Sequence, residues 1–191
     1  MLDRIRLNVY GRHNIYNALA AAAVGIYYRF PPYLIAEGLE KFRGIRRRFE
    51  NIGRYGGARF IADYAHHTRE IAAALQTAHE ICRGRLLVVF QPHTYSRTKL
   101  FFDDFVNVLS GVEDLVIYKT YSAREYFDVE GCALTLAVHL GNALYIETVK
   151  ELALYWKGTV SGGDVVLVLG AGDIYYAAKQ ALSRLNGQEP V

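Results

Sequence analysis

From Ala58 onward, short runs rich in Val, Ile and Leu alternate with segments of helical periodicity, and no other feature constrains the fold as strongly. The runs are Ala58 to Ala62, Arg85 to Phe90, Asp114 to Tyr118, Ala143 to Glu147 and Asp164 to Leu169. Helical patterns lie between and after them, over Thr68 to Cys82, Lys99 to Leu109, Leu134 to Leu140, Val149 to Tyr155 and Ile174 to Leu185. Strands that are apolar throughout are buried on both faces, so they belong in a parallel sheet covered by helices on both sides. The predicted class is α/β, with a Rossmann-like, mostly parallel sheet. Arg48 to Tyr55 reads as one more strand, joined to Ala58 to Ala62 by the hairpin signal Gly56-Gly57.

The N-terminal residues follow another pattern. A short strand is predicted over Ile5 to Val9, then helices over His13 to Tyr28 and Tyr33 to Phe42, separated by Pro31-Pro32. Leu34, Ile35, Leu39 and Phe42 recur near helical spacing. Two helices without a sheet to cover read as a fragment of another domain or a docking appendage. The expected division is 1–43 for this segment, 44–186 for the α/β domain and 187–191 for a frayed tail.

Bulk properties remove several function classes. The chain has 191 residues, enough for one sizeable core with an appendage. Its formal charge of +3 is small, and only Arg46-Arg47-Arg48 concentrates it. That argues against a general nucleic-acid partner while leaving local anion sites open. Cys82 and Cys132 form no CxxC pair, which fits a reduced, cytoplasmic protein. No apolar run follows the charges of Met1 to Arg6, so no signal peptide is read there. The longest apolar stretch, Ala18 to Tyr28, is too short to insert across a membrane.

Chemistry concentrates where strands end. Phe90-Gln-Pro-His-Thr-Tyr-Ser-Arg97 follows one apolar run, and Asp63-Tyr-Ala-His-His67 follows another. In open α/β sheets ligands bind at that edge, so the two clusters are expected to share one site. Asp63 can accept from ribose hydroxyls, and nearby histidines can donate to phosphate or carboxylate oxygens. The adjacent pair His66-His67, with no HxxxH or CxxC, does not make a zinc site. Arg46-Arg47-Arg48 is either a solvated face or a basic hinge that forks onto phosphate oxygens. Arg97 is either an exposed helix-start arginine or a partner for a carboxylate. Gly170-Ala-Gly172 is a strand-to-helix turn that serves tight packing or holds an anion on its N–H groups. Asn14 and Asn17 share one face at a helix start, with Asn14 the candidate N-cap.

Taken together, these tracts resemble the Mur ligase family of bacterial cell-wall synthesis. Gly11 to Ala20 looks like the end of that family's central ATP-binding domain, and Phe42 to Glu50 like its hinge into the C-terminal domain. Asp63 to His67, Phe90 to Thr98, Tyr121-Ser-Ala-Arg-Glu125 and Gly163 to Ile174 follow in the family's order. Ala62 stands where members usually carry a second Asp, and Thr68 where they carry Pro. The resemblance implies an ATP-dependent ligase that adds L-alanine to UDP-N-acetylmuramate through an acyl phosphate, with Mg²⁺ on the phosphates. It implies His66, His93 and Arg97 as catalytic, and Tyr64, His66, His93, Tyr95 and Arg97 as the substrate-side set. It assigns Asn14, Asn17, Arg47, Arg48 and Asp63 to the nucleotide and no residue to a metal. There is no GxxxxGK[ST] loop in the sequence. The chain therefore reads as the C-terminal part of such a ligase, inactive alone, with ATP and Mg²⁺ held mainly by the missing central domain. A dimer through the exposed helical segment is the other partner expected. The competing reading is a stand-alone, non-catalytic Rossmann-like module that binds a nucleotide or a partner.

Overall fold

The computed structural model describes residues 4–188. It falls into two compact units that meet in sequence between Arg46 and Arg47.

The first unit is a helix pair. Helix α1 spans Arg12–Tyr27 and α2 spans Pro32–Lys41. Gly11, at φ +89°, caps α1, and Pro32 opens α2 where its missing N–H costs nothing. Asn14 is therefore the third residue of α1, not its cap. A Cβ on Gly25 would lie 2.9 Å from the Ile35 side chain, so this glycine is what lets the helices approach. Beside them runs an apolar groove of about 670 Å³, lined by Leu7, Ala21, Phe30, Leu34 and Phe42 among others. The expected strand at Ile5–Val9 does not form. Among its described residues this unit offers no second strand to pair with. Instead the Arg6 N–H donates to Glu40 Oε1 and Asn8 Nδ2 donates to the Glu40 carbonyl.

In α1 only Ala22 and Gly25 are buried, while Ile15, Leu19, Val24 and Ile26 are exposed. Packing of an apolar face supplies most helical stability, and most of this face is unpacked. Amides of residues 13–28 are accordingly expected to exchange faster, in a dilute monomer, than those of the strands in the second unit. Uniformly slow exchange across α1 would contradict this; slowing with concentration would show self-association through the exposed face.

The second unit is a six-stranded sheet between two helical layers. Its elements are β1 (Glu50–Tyr55), β2 (Ala58–Asp63), α3 (Thr68–Ile81), β3 (Leu86–Phe90), α4 (Tyr95–Leu100), α5 (Phe102–Leu109), β4 (Asp114–Tyr118), α6 (Ala133–Leu140), β5 (Leu144–Ile146), α7 (Val149–Thr159), β6 (Val165–Leu169) and α8 (Ile174–Leu185). A 3₁₀ turn over Val129–Gly131 precedes α6. The strand order is β1-β2-β6-β3-β4-β5, with β1 antiparallel to β2 and the other pairings parallel. Successive side chains of a strand feed opposite faces. Thus Leu87 and Val89 join Phe60, Trp156 and Tyr175 on one side. Val88 and Phe90 join Ile71, Phe105 and Leu136 on the other.

Two helices depart from the sequence pattern. The single helix expected over Lys99 to Leu109 is two, broken at Phe101 (φ −113°, ψ 30°). Helix α4 packs on the 3₁₀ turn, whereas α5 turns Phe105 and Leu109 into the core. One straight helix could not serve both surfaces. Helix α7 runs past Tyr155 to Thr159 because Trp156, fully buried edge-on against Phe60 at 4.8 Å, belongs to the core. The frayed tail expected over 187–191 lies partly outside the described residues. Among the described residues no helix is long and apolar enough to cross a membrane.

Candidate functional site

Strands β2, β6 and β3 are neighbours, and Asp63, Leu169 and Phe90 stand in register at their carboxyl ends. The loops that follow therefore open on one edge, where α/β sheets bind ligands. The rings of His66 and His93 are 5.8 Å apart between centroids. The two clusters picked out in the sequence do meet.

Asp63 shapes the first loop. Its Oδ1 accepts from the Ala65 N–H and its Oδ2 from the Phe49 N–H, both at 2.8 Å. Burial raises its pKa, opposed by those two bonds and by the Arg48 charge. A carboxylate that holds two backbone donors is a loop-former. Next, Glu70 Oε2 accepts from the backbone N–H groups of His66 and His67 at the start of α3. Burial works against the Glu70 carboxylate, but these donors with His66 and Arg48 outweigh it and hold its pKa low.

His66 and His93 sit on opposite supports. His66 Nδ1 lies 3.0 Å from the Tyr64 carbonyl, and His93 Nδ1 lies 3.3 Å from Arg97 Nη1. The segment at His93 bridges in parallel to Tyr121, with the two rings 5.3 Å apart. Both imidazoles have pKa values below the ordinary 6.5, first through burial. The Arg97 charge pushes both further down. A partly buried guanidinium beside two imidazoles has the chemistry to receive a carboxylate, with proton-transfer groups at hand.

The arginine run divides. Arg47 Nη2 donates to the Gly172 carbonyl at 2.7 Å, and the guanidinium stacks on Tyr64 (4.6 Å) and Tyr175 (5.4 Å). Among the described residues its buried Nε has no hydrogen-bond partner. Arg47 therefore braces the Gly170–Gly172 turn. Arg48 is half exposed, with Glu70 4.0 Å away, and keeps donors available. Tyr64 is the platform under both arginines. Tyr95 packs edge-on against Phe127 at 5.6 Å, which ties it to the 119–131 segment. In the first unit, Asn14 Nδ2 donates to the Tyr10 carbonyl and Asn17 Nδ2 to Asn14 Oδ1.

The glycine turn serves packing. A Cβ on Gly172 would lie 2.5 Å from Gln91 Oε1 and from Tyr121 Cγ. The Gly170 N–H donates to the Asp63 carbonyl and the Ile174 N–H to Gln91 Oε1, so these donors are spent and do not hold an anion. Among the described residues no group of three His, Cys, Asp or Glu is placed to hold a metal ion.

Residues 47–172 match the family described as Mur ligase, glutamate ligase domain. The chain belongs to the Mur ligase family. Within it, the chain is 39% identical over 188 residues to the UDP-N-acetylmuramate–L-alanine ligase of Clostridium acetobutylicum, covering 96% of this chain and 41% of that one. It is 40% identical over 194 residues to the enzyme of the same name from Desulfosudis oleivorans, covering 98% and 42%. The crystal structure of UDP-N-acetylmuramate-alanine ligase from Thermotoga maritima superposes with a TM-score of 0.75 at 31% identity, over 97% of this chain and 40% of that one. The chain thus spans about two fifths of the length of these relatives.

The site of this Mur ligase chain holds members to which sequence reasoning gave no role. Gln91, fully buried, donates to the Lys119 carbonyl and Asp173 Oδ1 and accepts from Ile174. Its one signal is a polar residue set directly after an apolar strand. Glu125 accepts from the Ser96 N–H and hydroxyl, pinning the 119–131 segment to α4. Glu70, three residues after His67, had the spacing of a helix-start box.

Proposed function

We propose that this chain is the amino-acid-accepting end of a ligase that joins L-alanine to UDP-N-acetylmuramate, an ATP-dependent step in peptidoglycan synthesis carried out in the cytoplasm. The observation that carries the reading is the Arg97 guanidinium set against His93, with His66 beside it, at the carboxyl edge of β2, β6 and β3. The names and identity of the relatives support the substrates.

The labour divides by chemistry. ATP, when bound, supplies the phosphoryl group that activates the lactyl carboxylate. Arg48, with free donors beside Tyr64, is the residue of this unit that fits its phosphates. The described residues offer no donor set for Mg²⁺, and no step is drawn through it. Asn14 and Asn17 keep an adenine-side role by resemblance alone. Arg97 holds the L-alanine carboxylate, which places the amine for attack and makes a bimolecular reaction effectively unimolecular. Tyr64 and His93 wall the site and exclude water that would hydrolyse the acyl phosphate.

A polypeptide of these 191 residues is expected to release no ADP from Mg-ATP with UDP-N-acetylmuramate and L-alanine, because it carries no phosphate-cradling loop. A longer polypeptide bearing a GxxxxGK[ST] loop ahead of it is expected to release ADP only with both substrates present. Turnover by the 191 residues alone would refute the division of labour. Nucleotide binding without turnover by the longer polypeptide would favour a non-catalytic module.

A further inference from the structure

We propose that His66 takes the proton from the attacking amine at its Nε2, and that His93 stands beside it as a donor of the opposite polarity. This rests on the ligase reading above and gives the proton transfer to His66.

The polarity of each ring follows from its neighbours. His66 Nδ1 faces the Tyr64 carbonyl at 3.0 Å and Glu70 Oε2 at 3.4 Å. Both are acceptors only, so Nδ1 carries the hydrogen and a neutral ring keeps its lone pair on Nε2. His93 Nδ1 faces Arg97 Nη1 at 3.3 Å. A guanidinium only donates, so this Nδ1 accepts and the hydrogen sits on Nε2. Two rings 5.8 Å apart are thus directed toward opposite tautomers, one offering a lone pair and the other an N–H.

Charge state agrees with that geometry. For His66, burial and the charges of Arg97 and His67 oppose protonation, while the Tyr64 carbonyl and Glu70 favour it, and the balance is downward. For His93, burial, Arg97 and His66 oppose it, while its own carbonyl and Glu125 favour it, again with a downward balance. Both rings are neutral near pH 7, as an acceptor and a neutral donor must be.

An amino acid arrives as a zwitterion, and its ammonium nitrogen has no lone pair. With the carboxylate on Arg97, that charge is offset, and protonation of His66 becomes easier at the moment it is needed. The ammonium gives one proton to His66 Nε2. The freed amine bonds to the carbonyl carbon of the acyl phosphate, and the carbon–oxygen bond to phosphate breaks. A second amine proton leaves on the phosphate as HPO₄²⁻, the amide keeps the third, and His66 returns its proton to solvent. Nothing is oxidised or reduced.

Two measurements test this. In the 191-residue chain at neutral pH, long-range ¹H–¹⁵N NMR is expected to show the Nδ1–H tautomer for His66 and the Nε2–H tautomer for His93. The same tautomer in both rings, or a protonated His66, would overturn the proposal. In the longer, active polypeptide, His66→Gln is expected to lower kcat with L-alanine about a hundredfold. KM for L-alanine should move only a few-fold, and the acid limb of the pH profile should disappear. Hydroxylamine, unprotonated at neutral pH, should still trap the acyl phosphate at the parent rate. An acid limb that survives His66→Gln would overturn the assignment. No trapped hydroxamate from the parent itself would instead overturn the ligase reading, and this proposal with it, whatever the tautomers.

Discussion

Replacing Arg97 with alanine in the longer polypeptide is expected to lower kcat/KM for L-alanine by about a hundredfold or more while leaving ATP affinity nearly unchanged. The argument runs from position to charge. Arg97 lies in the first turn of α4, so its side chain reaches back over the carboxyl edge of the sheet to His93. It is partly buried, and its charge reaches both His66 and His93. A guanidinium in that setting can hold a carboxylate with two parallel bonds. Truncating one partner of such a pair costs about 2–5 kcal/mol, and each 1.4 kcal/mol is a factor of about ten. ATP binding should be spared because Arg48 keeps its donors beside Tyr64. Lysine at position 97 should recover only part of the loss, since it keeps the charge but not the planar fork. Steady-state kinetics with varied L-alanine, and a separate ATP titration, check the split. If ATP binding weakened while the L-alanine kinetics stayed intact, the carboxylate would have to be placed elsewhere.

The sheet was legible because burial on both faces forces β-branched and leucine residues into unbroken runs, and five such runs stand out from Ala58 onward. Their order in space was not legible. Insertion of β6 between β2 and β3 is a non-local choice that leaves no mark on local periodicity. Yet that insertion is what brings His66 and His93 to one edge. The strand-end rule supplied the pairing of the two loops, and the register supplies its reason.

The arginine run shows where local reading stops. Arg47 and Arg48 are adjacent and chemically identical, so nothing in their own sequence ranks them. The fold separates them: Arg47, held at φ +61°, turns inward to the Gly172 carbonyl, while Arg48 remains half exposed. Asp63 was legible as a strand-end carboxylate but not as one engaged by two backbone donors, because one of those, Phe49, comes from the segment before β1. In α4 and α5 the apolar run Leu100-Phe101-Phe102 hid a helix break, since apolar residues suit either a continuous helix or a corner between two surfaces.

Gln91 carries the second large effect, this time on stability. Truncating it to alanine is expected to destabilise the second unit by about 3 kcal/mol or more, lowering its Tm by on the order of 10 °C. The side chain is fully buried at the junction of β3, β4 and α8. Its amide nitrogen bonds the Lys119 carbonyl at 3.1 Å and Asp173 Oδ1 at 2.7 Å, and its amide oxygen receives the Ile174 N–H at 3.0 Å. Removal strands those partners where little water can replace it, and an unsatisfied buried group costs more than a made bond contributes. Leucine at position 91 separates the causes. It nearly restores the volume but offers no hydrogen bond, so it should recover only the packing part of the loss. The Gly172 backbone is packed against this amide, and Arg47 is anchored on the Gly172 carbonyl. Loss of Gln91 should therefore also loosen Arg47 and the Tyr64 platform, weakening L-alanine binding without touching Arg97. Thermal unfolding of the wild type, Gln91→Ala and Gln91→Leu decides the matter: a leucine variant as stable as the wild type would show that the amide network contributes little and that the site is held by packing alone.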